Sequence, residues 1–411
     1  MSQEDGNKWM IQVNGRGIAL IIGIFFLFSL FLVKPVAGST YEEKPEWSEE
    51  DQAYLISDVD DLDWVRNNLK SDYILTDDID VSETEKWDNG RGWEPIGGKG
   101  EEFKGCFDGQ GYEISDLYVD RPSSEYVGLF GVIDETGEVK DLEVGDVYVI
   151  GGSKVGGLAG RLSGTINNSY VGGTVKGIHR VGLLAGHNRG YVNYSHTVGE
   201  VFGEQHVGGL VGYNIGGEDY VGDVEKSYSE ANVDGEERVG GLVGMSASGS
   251  EIVDSYAVGK VVGDDYVGGL VGFNFTHIER PDSRVESSYS AGKVVGDNEH
   301  VGGLIGSSCG SVNDSYWDLE ASGESDSAAG NGLMTDKMTE ENAADTLRGF
   351  DFEGTWVVDS GKEVNKGYPF LKEKTSNDGE NLDDSDKSST DYVSYRAGVI
   401  SLLSLFTWGL F

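Results

Sequence analysis

The chain has 411 residues, with 72 Asp and Glu against 31 Lys and Arg, for a formal net charge of -41. That balance repels phosphate backbones and excludes nucleic acid as a partner; it reads instead as a solubility surface for concentrated salt, where self-repulsion is screened at short range. Two cysteines, Cys106 and Cys309, are too few for a disulfide framework.

Residues 1–38 read as a signal peptide or an N-terminal anchor. Ile18 to Val33 is apolar and uncharged, Lys8 and Arg16 precede it, and the small residues Val36, Ala37 and Gly38 follow it. As a helix this core reaches only about 24 Å, short for a membrane span and long for a signal. Residues 39–51 read as an acidic linker.

Residues 52–126 have the pattern of an N-terminal cap. Leu62, Val65 and Leu69 share one helical face over 61–69, with aspartates at its start to suit the helix dipole. Tyr73, Ile74 and Leu75 predict a strand, and Trp87 and Trp93 flank a glycine-rich loop. Asp108-Gly109 predicts a hairpin-type turn, after which Tyr112, Ile114, Leu117 and Val119 continue as strand. Asp77, Asp78 and Asp80 form a carboxylate cluster of the kind that binds divalent cations, but no ligand loop with a fixed glycine surrounds them, so no metal or cofactor is assigned.

Residues 127–318 are organised by a returning phrase. Val-Gly-Leu-Phe-Gly starts at Val127, and relatives of it, up to the full Val-Gly-Gly-Leu-Val-Gly, start at Val155, Val181, Val207, Val239, Val267 and Val301, at intervals of 28, 26, 26, 32, 28 and 34 residues. A period near 30 means a solenoid or array. A second phrase trails the last six copies and ends in Ser-Tyr at Tyr170, Tyr228, Tyr256, Tyr289 and Tyr316, with His196 in place of one tyrosine.

Beyond that serine the faces alternate. Ser255, Ala257, Gly259 and Val261 share one, while Tyr256, Val258 and Lys260 share the other, which puts lysine in water and predicts a partly exposed tyrosine stripe. In the motif, valine and leucine are three apart, so glycine must bend the chain for both to face inward. The fold class that follows is all-β, a parallel β-helix of about seven repeats with an N-terminal cap containing a short helix. A propeller is the alternative, although its blades need 40 or more residues. Six coils at about 4.8 Å set the two cysteines too far apart to bridge, so both thiols are expected free.

Residues 319–371 read as the C-terminal cap, 372–391 as an acidic disordered linker, and 392–411 as a hydrophobic segment of marginal membrane-spanning length.

The leader Asp72-Tyr73-Ile74-Leu75-Thr76-Asp77-Asp78-Ile79-Asp80, then Trp93-Glu94-Pro95-Ile96-Gly97 and Gly105-Cys106-Phe107-Asp108-Gly109-Gln110-Gly111-Tyr112, resembles that of GLUG-motif surface proteins. The repeated Val-Gly-Gly-Leu-Val-Gly is the motif that names the family. The tail, from Ser315-Tyr316-Trp317-Asp318 through Gly332-Leu333-Met334-Thr335 and Trp356 to Tyr368-Pro369, is similar too, so the resemblance covers about 52–371. It implies an exported, repetitive protein of the cell surface or membrane, often an adhesin, and it implies an architecture rather than a reaction.

The sequence carries no recognisable nucleophile, metal or phosphate motif. The alternative from the enzyme class is a β-helix that cleaves polysaccharide. An active site needs an irregular cluster, and the longer repeats offer one only at 213–223 and 273–284, where Arg280, Asp282 and Arg284 lie. Two sets of residues serve as candidate sites, and the first shares one register of the repeat at Asn167, Asn193 and Asn313. Asn167, Asn193, Asn274 and Asn313 each begin a glycosylation acceptor. Tyr126, Lys154, Arg180, His206, Arg238, Tyr266 and His300 each precede a motif valine, and this column contains no acid. It is expected to point outward and to meet an acidic cell-envelope polysaccharide or a surface protein.

Overall fold

The computed structural model describes residues 44–372. The apolar segments near both termini and the acidic stretch after residue 372 lie outside the described residues, as do the readings placed on them. Among the described residues no helix is long and apolar enough to cross a membrane.

The repeats wind into a parallel β-solenoid. Its first wall stacks short strands in chain order, including Tyr73–Leu75, Cys106–Asp108, Glu138–Lys140, Thr165–Asn167, Asp223–Glu225, Glu251–Val253 and Ser311–Asn313. With Tyr191–Asn193 and Arg284–Glu286 in their places, these strands pair in parallel in sequence, and the middle residues Val139, Ile166, Val192, Val224, Ile252 and Val285 are buried in the stack. The second wall carries the tyrosine phrase and the third begins within each glycine motif, with strands such as Ala185–Asn188, Val211–Ile215 and Val243–Ala247. Motif valine and leucine both face inward, as Val239 and Leu242 show.

The corner between the first and second walls explains the recurring serine. Ser195, Ser227, Ser255 and Ser288 are buried, and each hydroxyl donates to the carbonyl two residues back while accepting the N–H of the serine one coil earlier, at 2.7–3.2 Å. The serine therefore satisfies a buried backbone donor that the tight corner removes from the strand ladder.

The N-terminal helix begins at Val59, capped by Asp58, and runs to Trp64 before a single turn of 3-10 helix; Leu62 and Val65 are buried as expected. The ladder runs through the N-terminal cap as well, since strands from Ala53 onward already stack as coils. Two expectations need correction. Glu46–Ser48, read as linker, pairs antiparallel with Ala53–Leu55 and covers the first rung. Asp108-Gly109 makes no hairpin, since Cys106–Asp108 and Glu113–Ser115 pair in parallel with strands of other coils; the glycine turns the chain from one wall to the next. Both cysteines are free, and burial pushes the Cys106 thiol up to about 12.

The C-terminal cap does not sit across the last coil alone. Its helix Glu341–Thr346, its strands Trp356–Val357 and Phe370–Leu371 and the segments that join them supply Ala343, Phe350, Trp356, Tyr368 and Leu371 to a second core, which packs on Tyr256, Tyr289 and Tyr316. The expected exposed tyrosine stripe is thus covered at these three rings. Tyr289 donates its hydroxyl hydrogen to the Pro369 carbonyl at 2.7 Å, and Tyr368 bonds Asp318 at 2.7 Å. The rings also stack on one another, 4.7 Å apart between Tyr228 and Tyr256 and 5.0 Å between Tyr256 and Tyr289. Tyr170, His196 and Tyr228 are half-exposed, and of these Tyr228 still packs against the edge of the second core.

Candidate functional site

The column before the motif valines stands at the corner between the second and third walls, where the backbone must turn sharply. Tyr126, Lys154, Arg180, His206, Arg238 and Tyr266 all have φ between 54° and 62°, in the left-handed region. Such a conformation costs an L-residue about 1–2 kcal/mol, and six coils in succession accept that cost. His300, at the last coil, does not share it.

This corner also accounts for the last glycine of the motif. A Cβ on Gly186, Gly212 or Gly244 would stand 2.3–2.5 Å from the amide nitrogen of the motif valine of an earlier coil, that is, against the peptide that leaves the left-handed residue. The strained corner and the glycine that seats it are one unit of the repeat.

The side chains of the column point outward but, apart from the exposed His300, are half-buried rather than free, because a second column lies beside them. Parallel register on the third wall aligns Arg161, His187, Tyr213, Met245 and Phe273. The two columns interleave. Lys154 lies 4.4 Å from the Tyr126 ring and Arg180 4.9 Å from that of Tyr213. His206 meets Tyr213 edge-on at 5.4 Å, and Tyr266 stacks on Phe273 at 5.3 Å and on His300 at 4.5 Å. Burial pushes His206 down to about 3, with Arg238 and Arg180 adding to the effect, and holds His187 well below the ordinary imidazole range; both are neutral at pH 7. Sequence reasoning missed this second column, although its signal was there: the residue right after each motif's last glycine is large or charged in five coils.

Of the acceptor asparagines, Asn313 is exposed and Asn167 and Asn193 are half-buried, each followed by a buried ladder serine. Asn274 is buried on the inner face of the third wall, where its amide donates to Ser308 at 3.2 Å in the same register in which Asn188 donates to Asn214 at 2.8 Å. It is a wall residue, and the expectation of a glycan there is corrected. Asp77, Asp78 and Asp80 are exposed turn residues whose carboxylates accept backbone N–H groups from Asp78, Glu113 and Ser82.

The structure brings the two inserts together. Arg280 Nη1 lies 3.1 Å from where a Cβ would stand on Gly217, and Pro281 packs 3.3 Å from the same point on Gly249. On the first wall nearby, Asp223, Glu251 and Arg284 are in register, with Arg284 paired to Glu251 at 2.6 Å and to Glu286 at 3.0 Å. Burial, with Glu251 beside it, pushes Asp223 up to about 7. Asp282 lies in the turn beyond, accepting from Thr276 at 2.8 Å.

The model of the GLUG motif matches residues 203–234. Halomucin of Haloquadratum walsbyi is 36% identical over 137 residues, 31% of this chain and 2% of its own length. A protein of Evansella cellulosilytica, named provisionally as a Gly-rich membrane protein, is 38% identical over 156 residues, 36% of this chain and 18% of its own length. The chain therefore matches only a small part of these relatives. Among solved structures, one from Bacteroides ovatus, named provisionally as an immunoglobulin A1 protease, superposes with a TM-score of 0.53 at 19% identity, over 80% of this chain and 95% of the other. That likeness is one of fold, and it supports the β-helix reading.

Proposed function

From the premise that this chain is a GLUG-motif repeat protein, we propose that it is an exported, surface-displayed solenoid with an adhesive or structural role in the cell envelope. Its partner is an envelope polysaccharide or a surface protein, and a terminal hydrophobic segment holds it at the membrane. One observation carries the reading: coil after coil, the strained corner presents a long aromatic or basic side chain, in a protein whose net charge is -41. A column that repeats with the coil suits a polymer that repeats too. The relatives named halomucin and Gly-rich membrane protein support a surface or membrane location.

Antibody labelling of intact cells tests display, and labelling that appears only after lysis would overturn it. Binding of cells to envelope polysaccharide tests adhesion. Replacing Arg180 and Arg238 with glutamate is expected to weaken it in a salt-sensitive way with little change in melting temperature, and equal binding by parent and variant would place the adhesive face elsewhere.

A second reading, a polysaccharide-cleaving β-helix, is favoured by Asp223, a carboxylic acid held near pH 7 beside Glu251 and close to the two inserts. Shortening of a polysaccharide by the parent but not by Asp223→Asn would carry it.

A further inference from the structure

The cations of the corner differ in what they already hold. Lys154 is paired with Glu125 at 2.8 Å, Arg238 with Glu237 at 2.7 Å, His300 with Asp265 at 2.9 Å, and Arg161 lies 3.6 Å from Glu102. Among the described residues, Arg180 and Arg189 make no ion pair with any carboxylate. Each instead lies over an aromatic face. The Arg180 guanidinium is 4.9 Å from the Tyr213 ring, and that of Arg189 is 4.4 Å from the ring of Tyr220, which the first insert carries and leaves 37% exposed.

His187 joins the two halves. It is buried, its ring is 5.2 Å from Tyr213, and its Nε2 accepts the Arg189 Nε–H at 3.3 Å. Its Nδ1 is buried without a hydrogen-bond partner. The charges acting most on His187 are the cations Arg180, Arg189, Lys154 and Arg161, and those acting most on Tyr213 are Arg180, Arg189, Arg280 and Arg238. In a strongly acidic chain this is a place where positive charge is concentrated, and among the described residues Arg180 and Arg189 hold no carboxylate in an ion pair.

A guanidinium presents a planar fork that matches a carboxylate, and an aromatic face suits the apolar face of a pyranose ring. We propose that Arg180 and Arg189, flanked by Tyr213 and Tyr220, form a binding site for the carboxylate-bearing sugars of an acidic, uronate-type polysaccharide. Neutral His187 positions Arg189 from beneath. The site deepens the reading of this corner as an adhesive face and moves its centre from the Arg180–Arg238 pair to the Arg180–Arg189 pair, since Arg238 is already neutralised.

The test is solution binding of the purified full chain to polygalacturonate, with methyl-esterified polygalacturonate, dextran sulfate and polyglutamate as comparison polymers. Arg180→Asn keeps a residue that accepts the left-handed corner, and Arg189→Gln keeps the stem. Together they are expected to weaken polygalacturonate binding by about tenfold or more, as loss of charge-assisted hydrogen bonds does, while Arg238→Gln leaves it within about twofold. Methyl esterification is expected to cost a similar factor. If the double variant melts earlier than the parent, Arg180→Lys with Arg189→Lys repeats the comparison with charge kept and the fork removed, and weaker binding is again expected.

Equal binding by parent and variants, absence of polygalacturonate binding by the parent, or equally tight binding of polyglutamate or dextran sulfate would each overturn the proposal. Because binding is read in solution, its failure leaves surface display standing, and intracellular location would leave this site standing.

Discussion

The indole N–H of Trp356 donates to the carboxylate of Asp254 at 3.1 Å across 102 residues of chain. Asp254 is itself a left-handed corner residue, at φ 48°, between the first and second walls. The C-terminal cap is thereby tied to the side of the solenoid, with Trp356 buried 6.0 Å from Tyr256 and 5.8 Å from Tyr289. Trp356→Ala is expected to cost the cap about 3–5 kcal/mol of docking. Limited proteolysis should then cut between 323 and 330, and a cutting pattern like the parent's would mean the cap is held by other contacts.

The last glycine of the motif is an equally local test. A Cβ on Gly244 would stand 2.5 Å from Val207 N and 2.6 Å from His206 C, both backbone atoms with no room to move. Gly244→Ala should destabilise the array by about 1–3 kcal/mol, as overpacking does. Gly98→Ala, which meets nothing within 4 Å, should stay within about 0.5 kcal/mol in the same denaturation series.

The period, the inward valine and leucine and the parallel stack were legible because a repeat writes its packing constraint many times. What stayed hidden depends on contacts between segments far apart in sequence. The tyrosine stripe follows from alternation, yet nothing in Tyr256 or Tyr289 says that residues 341–371 will lie over them. Asn274 looks like its fellow acceptors by its triplet, but it belongs to the third wall rather than the first, so its side chain joins the Asn188–Asn214 register inside. The acid-free column was visible; the positive φ it adopts was not, because long side chains are unusual in a conformation that normally selects glycine or asparagine.

Asp223 predicts a pH dependence. Its carboxyl is raised to about 7 in the folded chain from an ordinary value of 3.8, first by burial and then by Glu251. Between those values the folded state binds the extra proton, so this group favours the folded state fully below pH 3.8 and loses that contribution as pH rises through about 7. Asp223→Asn should therefore raise the melting temperature at pH 8 and leave it nearly unchanged near pH 3.5. A gain of the same size at both pH values would contradict the shift.

Among the four acceptor asparagines, peptide mapping of native protein is expected to find Asn274 bare, since it is buried in the wall, and to find Asn313, exposed on the last coil, as the favoured site of modification. A glycan on Asn274 would require that wall to be open when modification occurs.

The central claim is that the corner bearing Arg180, Arg189 and Tyr213 is the adhesive face. Amide hydrogen exchange of the full chain, with and without cell-envelope polysaccharide, reads this directly. The account predicts added protection at 179–190 and 206–221, with the first wall and the half-exposed Tyr170–His196–Tyr228 ladder unchanged. Protection centred on that ladder or on the first wall, with the corner exchanging as before, would contradict it.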